Sequence, residues 1–188
     1  KQADFYTGFR FGFLGVSDGS INFGLIYGMG AYGLANNLGV EPKIARDYIE
    51  QYFARFAGVK RYMDQTRTLA AEQGYVETVF GRRLWLPEIK ASGPRRQGAE
   101  RAAINAPMQG TAADLIKLAM VAVQDWLERE KLRTRMLLQV HDELVFEAAP
   151  DELEHLKSSL PGLMGSIAQL KVPLIVSIGV GDNWEEAH

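Results

Sequence analysis

The sequence predicts an α+β fold, and three observations carry that expectation. Helical periodicity fills most of the chain up to about residue 130. The stretch LLQVHDELVFE, residues 137–147, then sets two adjacent carboxylates, Asp142 and Glu143, between apolar runs that read as the strands of a tight hairpin. A last apolar strand follows one more helix, so helices come first and strands with a crossing helix come after, the order expected of α+β.

Taken in order, the chain begins with FYTGFRFGFLG at 5–15, rich in Phe and Gly, which fits neither a helical nor a cleanly alternating period and is expected to be loose or strand-like. A helix is expected from Ser20, with Ile21, Leu25 and Leu34 apolar. Gly28, Gly30 and Gly33 weaken it, since an interior glycine costs about 0.5–1 kcal/mol relative to alanine. Pro42 opens a stronger helix in which Ile44, Tyr48, Tyr52 and Phe56 recur every four residues, with Gly58 at its expected end. Another helix runs to about Glu72 and is closed by Gly74. The run YVETVFGRRLWLPEI, 75–89, alternates and turns at Gly81, which predicts a hairpin carrying Arg82 and Arg83 at an exposed tip. A long helix from about Pro94 to Glu130 follows, and Pro107 is expected to kink or split it. After the acidic hairpin come a helix from about Asp151 to Ala168, with Pro161 and Gly162 as candidate breaks, and a strand at Pro173–Gly179.

A chain of 188 residues, 47% of them hydrophobic, suffices for one domain or a little more with a buried core. No apolar run approaches the length of a bilayer span, and the first twenty residues lack the pattern of a secretory signal, so a soluble, cytoplasmic protein with no membrane partner is expected. The absence of cysteine excludes disulfides, thiolate catalysis and cysteine-held zinc. The net charge of −2 is unevenly spread. Residues 82–101 hold six basic side chains (Arg82, Arg83, Lys90, Arg95, Arg96, Arg101) against two acidic ones, a candidate phosphate contact or simply a solvated face. Residues 141–188 hold nine acidic side chains against two lysines.

Three constellations are candidate sites. The acidic pair reads either as a solvated turn or as a ligand for a divalent metal, since Mg²⁺ is held by one or two carboxylates plus substrate phosphates. Arg101, Asn105 and Gln109 stand at i, i+4 and i+8 on the long helix, flanked by small residues such as Ala102, Ala106 and Gly110. Such a stripe is either the wet face of a helix or a surface that reaches sugars and base edges of the minor groove. Phe23 and Tyr27 stand one turn apart beside glycines, where core packing and stacking on a base are both open.

INFGLIYGMGAYGLA (21–35), GYVETVFGRRLWLP (74–87), ERAAINAPMQGTAAD (100–114), LLQVHDELVFE (137–147) and GDNWEEAH (181–188) resemble, in this order, the C-terminal part of a bacterial DNA polymerase of the A family. The resemblance runs from about Ser20 to His188. It implies the helical fingers, over 20–94, and part of the antiparallel palm sheet, over 95–188, of a right-hand polymerase, with 1–19 unmatched. Residues 21–35 would be most of the helix that closes over the incoming nucleotide, with Tyr27 at the insertion site and Phe23 near the sugar and base. Arg101, Asn105 and Gln109 match contacts to the primer-template minor groove, and His141 matches a residue near the primer terminus. Asp142 matches a catalytic metal ligand and Glu143 its acidic neighbour. Because adjacent strand residues point to opposite faces, Asp142 is expected to be the principal ligand. The implied reaction is nucleotidyl transfer from a dNTP to a primer 3′-hydroxyl, with two Mg²⁺ ions and primer-template DNA as partners.

The chain departs from the resemblance in two places. The family's Arg and Lys that grip the triphosphate fall at Gly15 and Gly19, a loss of charge-assisted hydrogen bonds of about 1.5–3 kcal/mol each. The palm motif that supplies the second catalytic Asp lies N-terminal to this region in the family, and nothing here replaces it. The isolated chain is therefore expected to lack activity, to pair with the missing N-terminal part or self-associate through an unpaired sheet edge, and in the alternative to act as a non-catalytic DNA-binding or scaffolding fragment. A metal-dependent phosphodiesterase reusing Asp142 and Glu143 is a third reading.

Overall fold

The computed structural model describes residues 5–12, as backbone, together with 24, 25 and 28–187. Mixed helices and antiparallel sheets make an α+β architecture, as the order of elements predicts. The chain divides into two compact units, residues 16–111 and residues 1–15 with 112–188.

In the unit of residues 16–111, the helix expected from Ser20 does not continue to Leu34. Gly24 and Leu25 are helical, but Gly28 takes φ +85°, a left-handed conformation open to glycine at no steric cost, and the chain restarts as α1 (Ala31–Leu38). Gly39 ends α1 in the same conformation and donates its N–H to the Ala35 carbonyl. Pro42 occupies the first turn of α2 (Pro42–Arg55), where its missing N–H would be unpaired in any case. The four-residue recurrence does mark a helix, yet Ile44, Tyr48 and Phe56 are exposed. The buried face is rotated from that stripe: Ala45, with Ile49 and Tyr52, packs against Leu25, Leu34 and Ala35. Gly58 ends nothing; the chain turns at Phe56, and Gly58 lies inside α3 (Ala57–Gln73), which Gly74 closes at φ +80°. The predicted hairpin follows as β2 (Tyr75–Glu77) and β3 (Arg83–Trp85), turning through Gly81 at φ +81°. A short 3₁₀ turn, Pro87–Lys90, leads into α4 (Gly93–Arg129). Ala70, Val76, Leu86, Ile89, Ala99 and Ala103 form the core of α3, the hairpin and the start of α4.

Pro107 does not split α4, which runs unbroken for 37 residues. Proline removes one N–H from the helical ladder. In the turn after it, Thr111 Oγ1 donates to the Pro107 carbonyl at 2.5 Å. Residues from 112 onward belong to the other unit.

That unit is built on a four-stranded antiparallel sheet ordered β4-β5-β1-β6, with β1 at Phe5–Gly12, β4 at Arg135–Val140, β5 at Glu143–Ala148 and β6 at Ile175–Gly181. The unmatched N-terminal segment therefore supplies a strand, and it is an internal one. Pairing Phe5 with Ala148 and Arg10 with Glu143 on one side, and Tyr6 with Gly181 through Gly12 with Ile175 on the other, it fills the gap between β5 and β6 where an open edge was expected. Strand β5 is buried almost throughout, and α5 (Leu153–Gly165) contributes Leu156, Leu160 and Met164 to the same core as Leu144, Phe146, Val123 and Trp126. Pro161 leaves α5 unbroken. Full burial of Phe146 contributes about 1.5–3 kcal/mol. The C-terminal turn α6 (Trp184–Ala187) packs so closely on β6 that a Cβ at Gly179 would stand 1.7 Å from the Ala187 carbonyl oxygen.

Candidate nucleic-acid interface and acidic turn

In the unit of residues 16–111, α4 separates a buried face from a polar one. Ala103 and Ile104 are fully buried, and the Tyr62 hydroxyl donates to the Ile104 carbonyl at 3.0 Å. Burial raises the Tyr62 hydroxyl above its ordinary pKa of 10.0, against a lowering hydrogen bond from Thr66. Arg101 and Gln109 are exposed and Asn105 is half-buried between them. The stripe is thus a real surface, though not a uniformly wet one. The Asn105 Oδ1 is shielded from solvent without a hydrogen-bond partner among the described residues, an arrangement uncommon enough in proteins to require a reason. The stem of Arg101 lies over the turn at Gly28: a Cβ there would stand 3.1 Å from Arg101 Cγ. Phe23 and Tyr27, the stacking candidates, lie outside the described residues.

The β2–β3 hairpin carries Arg82 and Arg83 on its second strand side, and each has local work. Arg82 donates to the Gly110 carbonyl at 3.0 Å. Arg83 donates Nε–H to Glu77 at 2.7 Å and lies over the Tyr75 ring at 4.5 Å; the carboxylate and the ring hold its pKa above the ordinary value. Arg95 is exposed, and Arg96 pairs with Glu100 at 2.8 Å, four residues on. The hairpin is seated on α4 by residues that its charges did not advertise. Val79 N–H donates to Thr111 Oγ1 at 3.0 Å, and Gly110 leaves room for Thr78, whose methyl would meet a Cβ there at 2.6 Å. The run of small residues around Gly110 was the only sequence signal for this seat.

In the unit of residues 1–15 and 112–188, the acidic pair sits at a two-residue turn. Val140 pairs with Glu143, so His141 and Asp142 form the bend, with His141 at φ +50° and the Gln139 side-chain amide bonded to its carbonyl. Asp142 is half-buried; Glu143, the first residue of β5, is buried with 6% of its surface exposed. The pair is therefore not two adjacent strand residues on opposite faces, as expected, but one turn residue and one strand residue. No group of three or more His, Cys, Asp or Glu side chains comes together among the described residues. Two adjacent carboxylates are an incomplete donor set for a pair of hard cations, each of which takes about six oxygens. The strand beside them, β1, offers Arg10 opposite Glu143 in the backbone register and contains no acidic residue.

A helix face bearing Arg, Asn and Gln and a basic hairpin in one unit, and a half-buried acidic turn in the other, are features expected of a nucleic-acid-processing class of protein. The comparisons give that class a family. The DNA polymerase family A description matches residues 19–186, and the chain belongs to that family. DNA polymerase I of Pseudomonas aeruginosa is 59% identical over 170 residues, 90% of this chain and 19% of that protein; DNA polymerase I of Chloroflexus aurantiacus is 52% identical over 168 residues, 89% of this chain and 18% of that protein. The chain thus spans about a fifth of the length of the curated relatives it matches. Among solved structures, the POL domain of Pol1 from M. smegmatis, in complex with DNA primer-template and dNTP, superposes with a TM-score of 0.92 at 35% identity, covering 99% of this chain and 41% of that one. The family match begins at residue 19, where the unmatched segment ends.

Proposed function

We propose that this chain is a segment of a template-directed DNA polymerase that binds primer-template DNA and takes part, in its whole protein, in nucleotidyl transfer from a dNTP to the primer 3′-hydroxyl. The observation that carries the reading is the family match over residues 19–186. Within it, Arg101, Asn105 and Gln109 are the minor-groove contacts, with Arg95, Arg96, Arg82 and Arg83 as basic neighbours and His141 near the primer terminus. Phe23 and Tyr27 are assigned to the nucleotide. Asp142, with Glu143 beside it, is the Mg²⁺ ligand once a further carboxylate from outside these residues completes the set. A cytoplasmic protein of DNA replication and repair fits this reading; no helix among the described residues is long and apolar enough to cross a membrane.

By itself the chain is inactive, because among the described residues the donor set around Asp142 is incomplete. The same observation favours the alternative, a non-catalytic DNA-binding or scaffolding fragment, for the isolated chain. Self-association is assigned to the two edge strands, β4 and β6. The test is binding of fluorescent primer-template with added salt. Binding falls as salt rises, Arg101→Ala weakens it by about 1–3 kcal/mol, and Asp142→Ala leaves it unchanged. Binding that ignores both salt and Arg101 overturns the reading.

A further inference from the structure

One face of the β2–β3 hairpin carries chemistry that the polymerase reading does not use. Tyr75 pairs with Trp85 and Glu77 with Arg83 across the two strands, and residues two apart along a strand share a face, so all four side chains stand on one side. They form a ladder. Glu77 holds Arg83 at 2.7 Å, Arg83 lies over the Tyr75 ring at 4.5 Å, and Tyr75 leans on Trp85 with ring centroids 5.0 Å apart. Trp85 ends this ladder with 63% of its surface in solvent. A tryptophan so exposed is not contributing its area to the core. The core is served by the other face, where Val76 is 2% exposed. The ion pair and ring contacts below it hold the indole in place, so little side-chain entropy remains to be lost when something covers it.

We propose that Trp85, backed by Tyr75 and Arg83, is a stacking platform for an unpaired base of single-stranded DNA. A flat π surface selects a flat partner, and charge selects which. The same unit presents Arg82, Lys90, Arg95 and Arg96 exposed along residues 82–96, the cations that a phosphate backbone requires, whereas an apolar protein partner gains nothing from them. Bases within a duplex already stack on each other, so only an unpaired base offers its face. This inference rests on the DNA-binding reading above but concerns a different strand state and different residues.

The experiment reads Trp85 fluorescence in the full chain carrying Trp184→Phe, which leaves Trp85 and the buried Trp126 as the indoles. Titration with oligo(dT) is expected to quench the emission saturably and less so as salt rises. Trp85→Ala is expected to weaken oligo(dT) binding by about 5–150-fold, the loss of about 1–3 kcal/mol of stacking, while Trp85→Phe keeps most of it. Primer-template duplex binding, measured in parallel, is expected to be indifferent to Trp85 and sensitive to Arg101. Oligo(dT) that binds a folded Trp85→Ala variant as well as the parent overturns the platform while leaving the polymerase reading standing. Loss of both single-strand and duplex binding in the parent overturns both. Absence of quenching together with concentration-dependent dimers abolished by Trp85→Ala assigns the indole to a contact between copies and overturns the proposal.

Discussion

Replacing Thr111 by valine removes one hydroxyl and almost no volume, and the structure gives that hydroxyl two bonds. It accepts the Val79 N–H at 3.0 Å and donates to the Pro107 carbonyl at 2.5 Å, in a side chain only 8% exposed. The valine fills the same space, so no cavity term arises. What is lost is the partner of a half-buried backbone N–H, and a donor left unsatisfied costs about 1–3 kcal/mol. The carbonyl loses less, because it lies within the helical ladder. Thr111→Val is therefore expected to destabilise the hairpin by about 1–2 kcal/mol, with the denaturant slope unchanged since the surface exposed on unfolding is the same. Native-state hydrogen exchange localises the effect: the Val79 amide should exchange about 5–30-fold faster, while amides of β5 are unaffected. Thr111→Ser, which keeps the hydroxyl, should restore most of the protection. An unchanged Val79 exchange rate in Thr111→Val would refute the seat assigned to this threonine.

Three further outcomes follow from the geometry. Glu152, its side chain 12% exposed, accepts from the Arg133 and Thr134 backbone N–H groups and the Thr134 hydroxyl at 2.6–2.9 Å; burial raises its pKa, but these bonds outweigh burial and hold it below the ordinary 4.5. A carboxylate lowered in the folded state stabilises above its ordinary value, and that stability is lost as pH falls through the folded value, so Glu152→Gln should lower the denaturation midpoint at pH 7 and lose that difference as pH falls below the ordinary 4.5 and through the lowered folded value. Phe146→Ala, at a fully buried position of β5, should cost about 3–5 kcal/mol in urea unfolding. Gly179→Ala must displace the C-terminal turn by the clash with Ala187, and should shift the emission of Trp184, which lies on that turn, at a cost of about 1–3 kcal/mol.

Where the sequence was legible, one physical signal decided the element. Gly74 closing α3, Pro42 opening α2 and the paired apolar runs around Asp142 are local, and each appears where it was expected. The failures share a different cause. Pro107 and Pro161 were expected to interrupt helices, but both helices run on through them, held by packing: Ala103 and Ile104 of α4 and Leu160 and Met164 of α5 are fully buried. The stripe Ile44, Tyr48, Phe56 shows the helix but not its buried side, because which face packs depends on Leu25 and Leu34, distant in sequence. Phe5–Gly12 gave no period because an internal strand of Phe, Tyr, Thr, Gly and one Arg has no clean apolar–polar alternation to read. At the candidate site, the Arg101–Asn105–Gln109 stripe was visible from spacing alone. The hairpin ladder was not, since Tyr75 and Trp85 meet only once the register is known.

The central claim is that this chain carries a polymerase's substrate-binding surface and an incomplete acidic site. Primer extension by the purified chain, with Mg²⁺ and four dNTPs and with Asp142→Ala as the control, tests it most directly. Salt-sensitive binding of primer-template without extension, in both proteins, is the predicted result. Extension that Asp142→Ala abolishes would contradict it, because the missing carboxylate would then have to come from within this chain or a second copy of it.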